Sequence, residues 1–558
     1  MSQMTGAEAM VRMLQLHGVK HIFGLCGDTS LPFYDALYRL DHGMQHILTR
    51  DERSAAYMAD GYARVSGRVG VCEGPSGGGA TYLLPGIVEA NESSIPVLGI
   101  TTDIATTSRG RYALTELDQE ALYRPLTKRT EVIDRADKLP EAVRRAFRAM
   151  TAGRPGAAHL GLPYDVQNGQ VAEGSVWAEA ELGTYPSRRA RPEAVAIEQA
   201  AIALSSARMP MFVCGGGVVI ANAEEELAAL ASLLGAPVAT TVSGQGSLAE
   251  DHPLCLGVVG SNGGTLPTRE ALAQADLVVF VGCRAGSVTT ERWRYPAPGT
   301  PVIHIDADPM VIGANYRTEI AITADAKLAL QGLLDELTMV QPKDGAALVK
   351  AAKDRKFSAF RELAVKDDMP ILPERIVAAL HEILPRDATL VCDPGTPCPY
   401  FSAYYEFLEA GRHFISNRAH GALGYSMAAG VGAHFGRPST KTVSVMGDGS
   451  FGFTAGELET IVRLKVPLMM VVISNSSYGW IKAGQKTGFG ERYYSVDFSR
   501  TDHARVAEAF GVKAWRVERP EELKPALIAA AEHGGPALVD ILTQPLQDAR
   551  APVSEWVA

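Results

Sequence analysis

The chain has 558 residues, 46% of them hydrophobic, and its 53 basic and 63 acidic side chains give a formal net charge of −10. That length predicts three to four domains of about 150 residues each, with enough apolar material for packed cores. No long basic or acidic run marks a nucleic-acid or anionic-membrane partner, and no apolar run approaches the ~20 residues of a membrane span.

In chain order, the first predicted element is a helix. Thr5 and Glu8 form a capping box at its start and Gly18 marks its stop. This opening lacks the charged-then-apolar pattern of a secretory signal. Strand-like runs follow at His21–Gly24, His46–Thr49, Val69–Cys72 and Val97–Thr101, giving a first domain over 1–166. A polar stretch over 167–191 reads as a linker. A middle domain over 190–340 opens near Met211–Gly217 and contains Ala275–Gly282 and Val302–Asp306. A charged helical segment, Lys343–Lys366, leads to a third domain over 370–545, and 546–558 forms a short tail. Strands alternating with helical patterns imply an α/β chain of three doubly wound parallel-sheet domains. The seven cysteines (Cys26, Cys72, Cys214, Cys255, Cys283, Cys392 and Cys398) are scattered and form no Cys-x-x-Cys. They predict reduced thiols, no zinc and a cytoplasmic setting.

The most informative stretch is Gly447-Asp448-Gly449-Ser450, followed 27 residues after Asp448 by Asn475. Lys441–Met446 predicts a strand ending at a glycine turn. Thr454–Arg463 predicts a helix with Thr454 and Glu457 as a capping box, and Pro467–Ile473 a second buried strand that stops at Asn475. Asp448 and Asn475 then sit at the carboxyl ends of neighbouring parallel strands, where open α/β sheets bind ligands. A carboxylate, an amide oxygen and a nearby backbone carbonyl suit Mg²⁺ with a bound phosphate. Taken alone, Gly-Asp-Gly reads first as a turn; the spacing and flanking strands favour the metal.

This arrangement resembles the diphosphate motif of thiamine diphosphate enzymes, Gly-Asp-Gly followed by Asn-Asn, with Ser474 in place of the first Asn. The resemblance is to the acetolactate synthase-like branch and extends over nearly the whole chain. It includes Asp60-Gly-Tyr-Ala-Arg64, Ser76-Gly-Gly-Gly-Ala-Thr81, Arg124-Pro-Leu-Thr-Lys128 and Ile303-His-Ile-Asp-Ala-Asp-Pro309. It implies pyrimidine-binding, central and diphosphate-binding domains in that order, and thiamine diphosphate with Mg²⁺ as cofactors. It also implies a homodimer or homotetramer whose active sites lie between chains.

The resemblance assigns the metal to the Asp448 and Asn475 side chains and the Ser477 carbonyl. Gly395, Thr396, Gly447, Gly449, Ser450, Tyr478 and Gly479 fall at the diphosphate, Leu423 under the bend of the cofactor, and Glu52 at its pyrimidine nitrogen. Burial of Glu52 is expected to raise its pKa; a first-turn acid favoured by the helix dipole is the plainer reading. Around the substrate the chain departs from acetolactate synthase. Leu114-Thr115-Glu116 replaces Phe-Gln-Glu, Gly484 stands at the substrate-selecting Trp, with Trp480 four residues earlier, Thr396-Pro397 replaces Gln-His, and Cys26-Gly27-Asp28 replaces Pro-Gly-Gly. Asp28, Thr115, His420 and Glu491 are the candidate catalytic groups there. Loop capping is the alternative for Asp28, a satisfied polar residue for His420, and an exposed loop charge for Glu491.

The glycine turn Gly215-Gly216-Gly217 and Arg284 mark where the family places FAD or ADP, or nothing. Substrates compatible with the branch are 2-oxo acids, with carboligation after decarboxylation, or 2-hydroxyacyl-CoA and oxalyl-CoA thioesters in a lyase or decarboxylase. A non-catalytic nucleotide-binding regulator is the reading from a different class.

Overall fold

The computed structural model describes residues 2–338 and 340–556. Among them are three six-stranded, wholly parallel sheets flanked by helices. The first sheet is ordered Gln45–Leu48, His21–Gly24, Gly70–Gly74, Val97–Asp103, Ala158–Pro163, Arg129–Val132. The second is ordered Cys255–Val258, Val238–Thr240, Pro210–Cys214, Leu277–Val281, Val302–Asp306, Ile320–Thr323. The third is ordered Phe414–Ser416, Thr389–Cys392, Thr442–Gly447, Met469–Ser474, Ala537–Leu542, Lys513–Val517. Counted in chain order within each sheet, the first and third both run 2-1-3-4-6-5, whereas the second runs 3-2-1-4-5-6, the dinucleotide-binding order. Parallel strands covered on both faces are buried along their length and read as near-continuous apolar runs. Val97–Asp103 and Leu277–Val281 are accordingly buried at every position.

The chain forms two compact units. One holds the described residues up to Arg188 together with 419–439 and 454–466; the other holds 189–418, 440–453 and the chain from Pro467 onward. Within the first unit, the helix Glu52–Ser66 packs closely on the helix Tyr425–Gly436. Glycine permits that approach. A Cβ at Gly61 would fall 2.2 Å from the Ala429 carbonyl oxygen, and one at Gly432 would fall 1.9 Å from that of Met58.

Several local expectations hold. Thr5 and Glu8 form the reciprocal capping box of the helix Gly6–Leu16, and the strands His21–Gly24 and Val302–Asp306 have their expected bounds. Others need correction. The strand Thr442–Gly447 enters the helix Asp448–Thr454 directly, without a glycine turn. Thr454 caps nothing, because Glu457 is committed elsewhere: its carboxylate accepts the Arg50 N–H at 2.9 Å and the Thr460 hydroxyl at 2.7 Å. The stretch read as a linker is packed structure. Gln170–Ala172 pairs antiparallel with Gln3–Thr5, and Leu182 is fully buried in the first core. No helix among the described residues is long and apolar enough to cross a membrane.

Candidate active site

In the third sheet, two adjacent strands end at Gly447 and Ser474. Asp448 follows the first and begins a helix, so its carboxylate meets free N–H groups. Its Oδ1 accepts the Gly449 N–H at 2.8 Å; its Oδ2 accepts the N–H groups of Asn475 at 2.8 Å and Ser476 at 2.6 Å. Burial pushes the Asp448 carboxyl upward and the three N–H groups oppose it, leaving it above the usual range. A cation at this carboxylate would favour the ionised form. Asn475 Oδ1 accepts the Ser477 N–H and hydroxyl, each at 3.2 Å, and the Ser477 carbonyl accepts the Gly479 N–H at 2.9 Å.

The surroundings leave room for a ligand. A Cβ at Gly395 or Gly447 would meet nothing within 4 Å, so protein packing does not demand glycine there. At Gly449 a Cβ would fall 2.8 Å from the Tyr478 ring. At Gly479 it would lie 3.3 Å from Thr396 Oγ1 and 3.4 Å from Asn475 Nδ2, which brings these three expected residues together. Ser450 is buried and donates to Asp393 at 2.5 Å across the neighbouring strand ends. One charge, an amide and a carbonyl fit Mg²⁺, which takes its remaining ligands from phosphate and water. Among the described residues no three His, Cys, Asp or Glu side chains gather into a metal-binding group. Ser474, which stands where the family has an asparagine, donates to Asp540, and Asp540 in turn accepts the His503 N–H at 3.0 Å and pairs with Arg516 at 2.6 Å. That network anchors the strand end carrying Asn475.

In the first unit, Glu52 opens the helix Glu52–Ser66, capped by Asp51, and is 7% exposed. Burial, followed by the charge of Asp51, raises its pKa. Gly74 and Gly79 leave space over it: a Cβ on either would lie 3.2 Å from Glu52 Cγ or 3.1 Å from its Oε1. The Asp60–Arg64 motif also has a structural task. Arg64 pairs with Asp60 at 2.8 Å and Glu89 at 3.1 Å, Tyr425 donates to Asp60, and Glu89 accepts the His420 N–H at 2.7 Å. This buried network fixes both ends of the segment 420–425, which carries half-buried Leu423. The His420 side chain is exposed.

Asp28 is exposed and accepts the N–H of Thr29 at 2.9 Å. Thr115 has φ +68° and shares a 2.7 Å hydrogen bond with Ser76. Glu491 is exposed, with φ +61°, beyond the helix Gly479–Gly488. The tail packs back: the Trp556 and Trp480 rings meet at 5.1 Å between centroids, tilted by 56°, and the Trp556 carbonyl oxygen would lie 3.6 Å from a Cβ at Gly484. Residues 557 and 558 of that expected tail lie outside the described residues. In the second sheet, Gly215 and Gly217 press against Gly282, so packing alone requires both glycines. The sequence reading missed Asp393, Ser476, Asp540 and, in the first sheet, Glu73. The signal for Glu73 is a carboxylate inside an otherwise apolar strand, Gly70–Gly74.

Three family models match the chain: the thiamine pyrophosphate enzyme N-terminal TPP binding domain over residues 4–122, the central domain over 197–333 and the C-terminal TPP binding domain over 393–541. A probable acetolactate synthase large subunit of Methanocaldococcus jannaschii is 37% identical, over 98% of this chain and 93% of the relative. One from Methanococcus aeolicus is 34% identical over 97% and 92%, and an acetolactate synthase of Arthrospira platensis is 31% identical over 97% and 94%. The chain therefore belongs to the thiamine pyrophosphate enzymes, in their acetolactate synthase-like branch, and is a thiamine diphosphate-dependent enzyme.

Proposed function

We propose that the protein uses thiamine diphosphate and Mg²⁺ to decarboxylate a 2-oxo acid and join the remaining fragment to a second carbonyl, as an acetolactate synthase does. The observation that carries this reading is the Asp448 carboxylate, held by three backbone N–H groups beside Asn475 under glycine-lined open space. When bound, the cofactor supplies a nucleophilic thiazolium carbon. Asp448, Asn475 and the Ser477 carbonyl hold the cation on the diphosphate, and the N–H groups and hydroxyls of 395–396, 447–450 and 478–479 orient the phosphates. Glu52, whose pKa burial raises, would hold a proton at a ring nitrogen. Leu423 props the cofactor, fixed by the Glu89 and Asp60 anchors on either side of it.

Asp28, Thr115, His420 and Glu491 are the candidate groups at the substrate, and the departures at Thr115 and Gly484 point to a 2-oxo acid partner other than two pyruvates. By analogy with the family, a second copy of the chain completes each site in a dimer or tetramer. The central sheet, with its dinucleotide-binding strand order, would be the place for FAD or ADP. The seven free cysteines support a reducing cytoplasm.

The test is a reaction with thiamine diphosphate, Mg²⁺ and pyruvate, alone and with other 2-oxo acids, with products read by mass spectrometry alongside CO₂ release. CO₂ with a 2-hydroxy-2-alkyl-3-oxo acid is the expected result. No CO₂ from any 2-oxo acid, with cofactor binding confirmed by thermal shift, refutes carboligation and directs attention to 2-hydroxyacyl-CoA cleavage.

A further inference from the structure

Glu73 is fully buried in the middle of the first sheet. Its Oε1 accepts the Ser30 hydroxyl at 2.7 Å and its Oε2 the Tyr34 hydroxyl at 2.7 Å. The other groups facing it are the Glu52 carboxyl and the thiols of Cys26 and Cys72, and none of these is a cation. Behind Tyr34, His46 meets the phenol oxygen at 2.9 Å and is held neutral by burial.

From Ser30 a file of hydroxyls leads away. Ser30 meets Thr102 at 3.0 Å, Thr102 meets Thr29 at 2.8 Å, Thr29 meets Ser76 at 3.1 Å, and Ser76 meets Thr115 at 2.7 Å. These residues come from the ends of three strands and from the loop that carries Thr115. Each hydroxyl has one donor and two acceptor sites. Thr29 also accepts the Ser76 N–H at 3.1 Å, which still leaves it one hydroxyl to accept from and one to donate to. The Thr115 hydroxyl also donates to the Leu114 carbonyl and must turn from it before the file runs toward Glu73; the other hydroxyls can be satisfied in either direction. Thr115, a β-branched residue at positive φ, is held in a conformation costing of order 1–3 kcal/mol, the kind of strain that collects at functional sites. The Thr115 side chain would contact a Cβ at Gly77 at 2.8 Å, so the glycine loop and the strained residue fit each other.

We propose that Glu73 stores a proton and exchanges it with the substrate through Ser30, Thr102, Thr29, Ser76 and Thr115. The proposal rests on the functional reading above, which places Thr115 at the substrate. In delivery, Glu73 gives its proton to Ser30 and becomes a carboxylate, each hydroxyl passes one proton onward, and Thr115 protonates an anionic substrate oxygen. The reverse run takes a proton from a substrate hydroxyl and restores the carboxylic acid, so no further reactant is consumed. Burial without a cation supports this role, since it pushes the Glu73 carboxyl up to about 7. Glu73 is thus a positioning and proton-storing residue, while Thr115 is the member that touches substrate.

Two measurements test the proposal. Infrared difference spectra of the protein without added cofactor should show one buried carboxylic acid that loses its proton near pH 7, absent from Glu73→Gln. A parent protein lacking that signal overturns the proposal. In steady-state kinetics with the best 2-oxo acid, Ser76→Ala and Thr102→Val cut the file while leaving Glu73 in place. Both should keep the infrared signal, lose the ionisation near pH 7 from the kcat profile and lower kcat by about 100-fold, with KM little changed. A parent that thiamine diphosphate with Mg²⁺ does not stabilise against heat sinks the functional reading and this proposal with it. A parent that is stabilised and turns over, with both cut variants retaining its pH profile, overturns the relay alone.

Discussion

The first and third sheets share one strand order, 2-1-3-4-6-5, yet they treat buried carboxyl groups in opposite ways. Asp448 faces backbone N–H groups from Gly449, Asn475 and Ser476. An N–H can only donate, so this setting works for the ionised form against the penalty of burial. Glu73 faces the hydroxyls of Ser30 and Tyr34, which donate or accept as required. Glu52 is buried and also lies near the charge of Asp51, and both favour its acid form. One topology thus yields a carboxylate that backbone N–H groups hold toward ionisation at the end of one sheet, and carboxyl groups pushed toward their acid forms in the other. Strand order chooses where a ligand-facing group stands, and the partner atoms choose which protonation state it holds.

Asp448→Asn should break this contrast most strongly. The new amide must turn its NH₂ toward N–H donors, whichever way it is placed, at a cost of about 1–3 kcal/mol. It also removes the single charge of the proposed cation seat. Calorimetry or thermal shift should then lose the cofactor-induced stabilisation, which is about 2.7 kcal/mol for the parent at 100 times Kd. Retained stabilisation by thiamine diphosphate with Mg²⁺ would show that the cation sits elsewhere. Glu52→Gln should separate the two sheets more finely. It keeps shape and loses the proton, so turnover should fall by about 100-fold while cofactor-induced stabilisation stays near that of the parent. Unchanged turnover would mean that the proton at Glu52 has no part in the reaction.

The local parts of this design were legible in the sequence. The Thr5–Glu8 cap and the strands His21–Gly24 and Val302–Asp306 depend on near neighbours and on period, and they stand as expected. Asp448 and Asn475 were legible because the two positions fall at adjacent strand ends. Thr454 shows where local signals fail: a capping pattern is present, but Glu457 is drawn to Arg50 and Thr460. The Glu73 file was illegible for a related reason. Ser30, Thr102 and Ser76 each look like ordinary polar residues in a turn or strand end, and only the alignment of three parallel strands brings them together. The sequence reading ended its strand at Cys72, one residue before the carboxylate that the structure places within it.

The smallest effect concerns the counting of hydroxyl donors, and it can be read from stability alone. The folded protein holds the Glu73 proton up to about pH 7, whereas an ordinary glutamate releases it near 4.5. The folded state therefore binds this proton more tightly. Its contribution is complete below the unfolded value and is lost as pH rises through the folded one, a difference of roughly 3 kcal/mol at most. Urea unfolding from about pH 5 to about pH 8 should show that decline in the parent and not in Glu73→Gln. Tyr34→Phe then removes one of the two hydroxyls that favour the carboxylate. A hydrogen bond to a charged group contributes about 1.5 kcal/mol, so the midpoint of the decline should move upward by about one pH unit. A midpoint that stays put or moves down would mean that Tyr34 does not stabilise the ionised form. The Tyr34 hydroxyl would then serve the acid form at least as well as the carboxylate, and Ser30 alone would favour ionisation.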